Sequence, residues 1–202
     1  MIILLTQTNQ AFVRGSLENL PEYSHEIGGK AFYRFTLSVP RLSGAVDRLP
    51  VIASGAVLDR MDLSGGEMLS VSGSVRSHNQ MEADRRKLLI FLFAESIQTE
   101  DGPPINEITL RGNLCREPTY RRTPLGREIC DVMLAVPRPS RRGDYIPCIL
   151  WGSTARMAAQ CHTRDSLFIQ GRLQSRVYTK LTEGSARECT AYEVSALRAE
   201  PE

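Results

Sequence analysis

From residue 145 to 151 the chain alternates. Ile146, Cys148 and Leu150 fall on one face of an extended strand, and Tyr145, Pro147, Ile149 and Trp151 on the other. Period-two alternation over β-branched and aromatic residues, closed by Gly152, predicts a half-buried β-strand. The first set suits a core. The second holds the single Trp of the chain and a Tyr, and Arg-rich segments flank the strand in sequence. Similar patterns predict strands at about 107–115, 127–137, 166–178 and 189–198. A helix fits residues 154–161, with Ser153 as its N-cap. Gly112 and Gly171 fall inside strands, where a glycine marks a bulge, a bend or a close backbone approach. Five strands with one helix between the third and fourth is the order of the OB barrel.

The pattern occurs twice. Ala11-Phe-Val-Arg-Gly-Ser-Leu17 aligns with Ile108-Thr-Leu-Arg-Gly-Asn-Leu114, 97 positions on. Phe35-Thr-Leu-Ser-Val-Pro-Arg41 aligns with Val132-Met-Leu-Ala-Val-Pro-Arg138, and Pro50 to Gly55 with Pro147 to Gly152, at the same offset of 97. The run from Leu69 to Val75 aligns with that from Leu167 to Leu173 at an offset of 98. The chain therefore reads as two copies of one domain. Residues 99–104, Thr-Glu-Asp-Gly-Pro-Pro, have a linker's composition. The first copy, residues 1–100, repeats the strands near 10–17, 30–40, 50–58, 67–76 and 88–97. Its helix is weak or missing, since residues 59–66 are short, polar and contain two glycines. The fold class is all-β, with one short helix, as two tandem five-stranded OB barrels.

Composition changes the picture in one respect. Of 202 residues, 42% are hydrophobic and 24% charged, as in ordinary globular proteins. No apolar run reaches the ~18 residues of a membrane span, and the expected location is the cytoplasm. The five cysteines show no paired short spacing, so neither a disulfide framework nor a zinc site is expected. His25, His78 and His162 have no nucleophile or carboxylate at an informative spacing, and no phosphate-binding loop occurs. The chain reads as non-catalytic, with no cofactor, metal or small-molecule substrate. The net charge of +2 is uneven. Residues 1–104 carry 10 Lys+Arg against 12 Asp+Glu, and residues 105–202 carry 15 against 11, 14 of those bases being Arg. Arginine suits phosphate and stacking contacts, so the second half is the expected anion-binding half.

The second copy, residues 105–199, resembles the bacterial single-stranded DNA-binding protein (SSB) family nearly end to end. Asn106-Glu-Ile-Thr-Leu-Arg-Gly-Asn-Leu-Cys-Arg-Glu-Pro118 looks like that family's opening strand and the acidic-Pro turn after it. Leu134 to Val136, Ile149 to Gly152 and Phe168 to Leu173 are similar to its second, third and fourth strands. The resemblance implies an OB fold, sequence-tolerant binding of single-stranded DNA, and action as a dimer or tetramer. DNA replication, recombination or repair is the implied setting, with RNA left open as a ligand. Two tandem barrels per chain make a homodimer with four barrels the natural assembly. The apolar residues 2–5 would supply an extra strand at such an interface. The family's acidic, Phe-containing tail has no counterpart in residues 198–202, so recruitment of partner enzymes through it is not expected.

The binding residues follow from the alternation. In the fourth strand Leu167, Ile169, Gly171 and Leu173 point to the core, and Phe168, Gln170, Arg172, Gln174, Arg176 and Tyr178 point outward. Rings beside guanidiniums suit a single strand, which needs surfaces for bases and cations for phosphates. The resemblance places stacking aromatics at Tyr145, Trp151 and Tyr178, and a fourth near Ser140, where this chain has no ring. Arg138, Arg141 and Arg142, on the loop between the second and third strands, are expected to follow the phosphate chain, with Arg121 and Arg122 as lesser candidates. Residues 180–188 read as a long polar loop. In the first copy Arg48 and Ser54 replace Tyr145 and Trp151, and the outer face of the fourth strand reads Met68, Ser70, Ser72, Ser74 and Arg76. That copy is expected to serve as scaffold and association surface. The alternative reading is a primosome-type OB adaptor that mainly joins proteins. It predicts that Trp151 is covered by a partner rather than facing solvent.

Overall fold

In the computed structural model, residues 8–82, 85–140, 142–182 and 185–202 are described. Residues 2–5 and Arg141, for which roles were expected, lie outside them. The first half contains β1 (Asn9–Leu17), β2 (Glu22–Ile27), β3 (Lys30–Pro40), β4 (Val46–Ser54), α1 (Gly55–Leu58), β5 (Met68–Glu82) and β6 (Arg85–Thr99). The second contains β7 (Ile105–Leu114), β8 (Thr119–Arg122), β9 (Glu128–Pro137), β10 (Gly143–Trp151), α2 (Gly152–Ala158), β11 (Ser166–Thr182) and β12 (Ser185–Pro201). The strand order is β2-β3-β4-β6-β5-β1-β7-β11-β12-β10-β9-β8, which reads the same from either end once the halves are superposed. The expected linker, 99–104, joins β6 to β7.

Each half curls into a barrel because its first strand serves two neighbours. β1 pairs with β5 along Ala11–Ser16 and turns to pair with β3 at Ser16 and Leu17. β7 does the same with β11 and β9. The bend needs a residue without a side chain. A Cβ on Gly15 would lie 2.6 Å from the Ser38 carbonyl oxygen, and one on Gly112 would lie 2.5 Å from that of Ala135. Inside the second barrel, Leu110, Leu134, Ile146, Leu150, Ile169 and Leu173 are fully buried, with their counterparts in the first.

The two barrels are joined by antiparallel pairing of β1 with β7, Ala11 facing Ile108. These two residues are equivalents in the repeat, so the junction has a local two-fold axis through them. Asn9 and Asn106 brace it identically. The Asn9 amide donates to the Val75 carbonyl at 2.7 Å and accepts from the Val75 N–H at 2.9 Å, and Asn106 repeats both bonds with Leu173.

A second device locks the barrels together. Asp144, at the start of β10, is fully buried and accepts from the Ser77 N–H on β5 of the other barrel at 2.7 Å. Arg138 donates to Asp144 from Nε at 2.7 Å and to the Ser77 carbonyl at 3.1 Å. The two-fold-related set joins Asp47 and Arg41 to Ser175 on β11, with Ser175 N–H to Asp47 at 2.7 Å and Arg41 to the Ser175 carbonyl at 2.8 Å. Each barrel thus grips the root of the other's β5–β6 or β11–β12 hairpin.

The helices and hairpins depart from the sequence expectation. α1 is one turn at Gly55–Leu58, where the third strand had been extended, and not at 59–66. α2 starts at Gly152, capped by Trp151 and not by Ser153. Thr154 closes that turn, its hydroxyl accepting from the Trp151 N–H at 3.2 Å and donating to the Trp151 carbonyl at 2.8 Å. Residues 180–182 and 185–188 belong to strands and not to the expected loop: β11 and β12 stay paired from Leu167↔Pro201 to Thr182↔Ser185. The hairpin outgrows the barrel, so both of its faces reach water, with Val177, Tyr178 and Leu181 all exposed. β5 and β6 form the equivalent arm. Alternation could not announce either extension, because an arm with no core beneath it has no buried face to mark.

Replacing Gly112 by Ala should force β7 off β9 and cost about 1–3 kcal/mol, measurable by urea unfolding.

Candidate nucleic-acid interface

β12 lies between β10 and β11, parallel to the first and antiparallel to the second. Ile149 pairs with Ser195, and Ser195 pairs with Arg172. Residues in one such row share a face of the sheet, so this row fixes which side chains stand together. Along β10 the face carries Tyr145, Pro147, Ile149 and Trp151; along β11 it carries Arg172, Gln174, Arg176 and Tyr178; between them β12 contributes Cys189, Ala191, Glu193 and Ser195. Trp151 stands at one end, with Tyr145 toward the end that holds Arg176 and Tyr178. Two strand spacings and six residues of rise give a surface about 10 Å by 20 Å.

The rings are held differently. Trp151 is 39% exposed, and its indole N–H donates to the Ser195 hydroxyl at 3.0 Å, so its one polar atom is satisfied within the sheet. The strand ends there because Gly152 takes φ 54°, a backbone conformation suited to glycine. Tyr145 is 47% exposed, and its backbone N–H donates to the Ser77 hydroxyl of the other barrel at 2.8 Å. Tyr178 is 41% exposed, near the end of the projecting arm, with the Arg176 guanidinium 5.8 Å from its ring centroid.

The arginines divide into two groups. Arg172 and Arg142 are exposed, with no ion-pair partner among the described residues. Arg176 is exposed and approaches Glu193 at 3.8 Å. Arg138 is a correction: it does not ride on a mobile loop. It is spent on Asp144 and Ser77, and the bond to Asp144 holds its pKa above the ordinary arginine value. Arg121 and Arg122 lie on β8, in contact with Asp131 at 2.9 Å and Glu128 at 3.5 Å. Arg141 lies outside the described residues.

Sequence reasoning missed Glu193, a half-buried carboxylate in the middle of this face, whose pKa burial pushes up. It also missed both Asp-centred locks. Their signal was present: Arg41 with Asp47 and Arg138 with Asp144 recur 97 positions apart, but each pair read as loop charge. Sequence reasoning also missed the rings of the first barrel. Its β4 lacks them, but Phe93 pairs with Ile52 where Ser195 pairs with Ile149. Phe32 from β3 packs on Phe93 at 6.0 Å between centroids and stacks on His25 at 5.0 Å, while Arg76 lies 5.6 Å over Phe93. Phe32 and Phe93 cover one another and are less open than Trp151.

Comparisons with known proteins agree with this geometry. The single-strand binding protein family model matches residues 105–200. The single-stranded DNA-binding protein of Halalkalibacterium halodurans is 36% identical over 81 residues, covering 37% of this chain. The match spans about half of that relative's length, 48%. Single-stranded DNA-binding protein B of Bacillus subtilis is 34% identical over 80 residues, 36% of this chain and 71% of the relative. Both barrels are matched in a crystal structure of a deletion mutant of the single-stranded DNA binding protein from Thermus aquaticus, with TM-score 0.76, 25% identity, and coverage of 96% of this chain and 94% of that one. A two-barrel sheet of this strand order defines a tandem OB-fold protein. The chain belongs to the single-strand binding protein family.

The two kinds of arginine should separate on substitution. Arg138→Ala leaves Asp144 buried without its main partner and should cost about 3 kcal/mol, whereas Arg142→Ala should stay within about 0.5 kcal/mol. Chemical denaturation of both variants checks this.

Proposed function

We propose that this chain binds single-stranded DNA without marked sequence preference and without catalysis, chiefly through the β10–β12–β11 face of its second barrel. The observation that carries the reading is the Ile149–Ser195–Arg172 row, which sets Trp151 and Tyr145 on the same side as Arg172, Arg176 and Tyr178. Bases stack on the rings and phosphates meet the guanidiniums of Arg172, Arg176 and Arg142. Stacking tolerates any base because every base has a π-face. That the relatives are single-stranded DNA-binding proteins supports DNA as the ligand.

The first barrel serves mainly as scaffold and association surface in this reading. Its half of the chain carries the negative share of the charge, and its rings pack on one another. The working unit is taken as two chains presenting four barrels, which sedimentation would weigh. Replication, recombination or repair, where unpaired DNA arises, is the proposed setting.

Titrating an oligo-dT and following the fluorescence of Trp151 at two salt concentrations tests the proposal. Quenching with a steep salt slope is expected. An unchanged signal with no gel shift would favour the adaptor reading. Trp151→Ala should weaken binding by about 1–3 kcal/mol, and Phe93→Ala by less. Arg172→Ala should lower the salt slope by about one, while Arg138→Ala should leave it unchanged.

A further inference from the structure

A carboxylate is out of place at the centre of a surface that receives a polyanion. Glu193 stands on β12 opposite Gln174, two residues from Ser195, with Trp151 and Tyr145 on one flank and Arg172 and Arg176 on the other. Its side chain is 18% exposed, against 61% for Arg176, whose Nε lies 3.8 Å from a Glu193 oxygen. The surrounding charges come from several elements. Arg176 approaches from β11, Arg121 from β8, Asp131 from β9 and Arg41 from the turn after β3. β10 brings apolar Pro147 and Ile149 alongside, with the Tyr145 phenol further along the same face. Arg121 and Asp131 pair with each other at 2.9 Å, and Arg41 is committed to Asp47. The exposed cation left to Glu193 is therefore Arg176, one of the residues assigned to phosphate.

We propose that Glu193 is a protonatable counter-charge on the binding face: ionised, it holds Arg176 and repels the phosphate chain, and a single strand binds with uptake of a proton at this carboxylate. This rests on the function proposed above. The chemistry is a simple transfer, in which a proton from solvent neutralises Glu193 and Arg176 turns from carboxylate to phosphate.

The sign follows from the surroundings. Burial is the largest influence and already raises the Glu193 pKa in the free protein; Asp131 adds to the rise, and the three arginines oppose it. Phosphates arriving within a Debye length disfavour the carboxylate further. The bound-state pKa therefore lies above the free-state one. Above both, the charge repels the strand and affinity is low. As pH falls from the bound to the free value, binding takes up a proton and affinity rises, and below both it levels off.

Calorimetric titration of the full chain with oligo-dT near pH 6, in buffers of different ionisation enthalpy, measures the uptake directly. The native protein should take up protons, and Glu193→Gln should take up fewer. At about pH 8, Glu193→Gln should bind about threefold to tenfold more tightly than the native protein, one pKa unit corresponding to tenfold. The gap should close toward pH 5. Glu22→Gln, on β2, corrects for the loss of one negative charge. Equal proton uptake, or a Glu193→Gln gain at about pH 8 no larger than that of Glu22→Gln, overturns the proposal while leaving strand binding intact. A native protein that binds no oligonucleotide at any pH overturns the function beneath it, and the proposal with it.

Discussion

The pairing of β1 with β7 is the constraint on which the rest depends. Each barrel gives its first strand three partners: its own fourth strand, its own second strand beyond the glycine bend, and the first strand of its twin. A strand so used has no free edge, so its backbone groups are paired throughout the joined sheet. The register also sets the distance across the molecule, bringing Asp47 to Ser175 and Asp144 to Ser77. A slip of one residue would send the core face of one barrel to solvent and leave two carboxylates without their donors from the other barrel. Buried charges of this kind contribute little net stability against an apolar replacement, but they penalise wrong arrangements heavily.

That economy changes how the charge of the second half should be counted. Arg138 contributes to the Arg excess there, yet it is occupied in the lock, as Arg41 and Arg76 are from the first half. The cations open to a ligand are fewer and more specifically placed than the net charge suggests. Arg172 and Arg142, exposed and without an ion-pair partner among the described residues, stand on β11 and in the turn before β10, beside rings fixed at different depths. Trp151 is set in the sheet by its bond to Ser195, whereas Tyr178 rides on an arm with solvent on both sides.

The duplication and the five barrel strands of each half were legible because each barrel buries one face of each of those strands, and burial writes a two-residue period; β2 and β8, almost wholly exposed, were not. The faces of β10 and β11 followed from the same period. What period cannot express was lost. The arms have no core, so they read as loops; α1 has four residues, too few to show a helical face. Asp144 takes Arg138 from its own turn but Ser77 and Arg76 from the other half of the chain, and no local pattern announces that cross-barrel contact. Glu193 sits at the right parity to be seen on the face, but in sequence it is one acid in a mixed strand, and only the register with β10 and β11 shows what surrounds it. Phe32 and Phe93 read as ordinary strand apolars, because their neighbours come from strands distant in sequence.

The junction's symmetry has one more consequence. Since Ala11 and Ile108 are the same position in two copies, a chain with a single such domain could build this contact with a second copy of itself, edge to identical edge. Covalent fusion turns that encounter into an internal one, which dilution does not undo. It also releases the halves from being identical: a substitution in one no longer appears in both. Rings could then settle on β10 in one barrel and on β3 and β6 in the other, a divergence barred to any homodimer encoded by one domain.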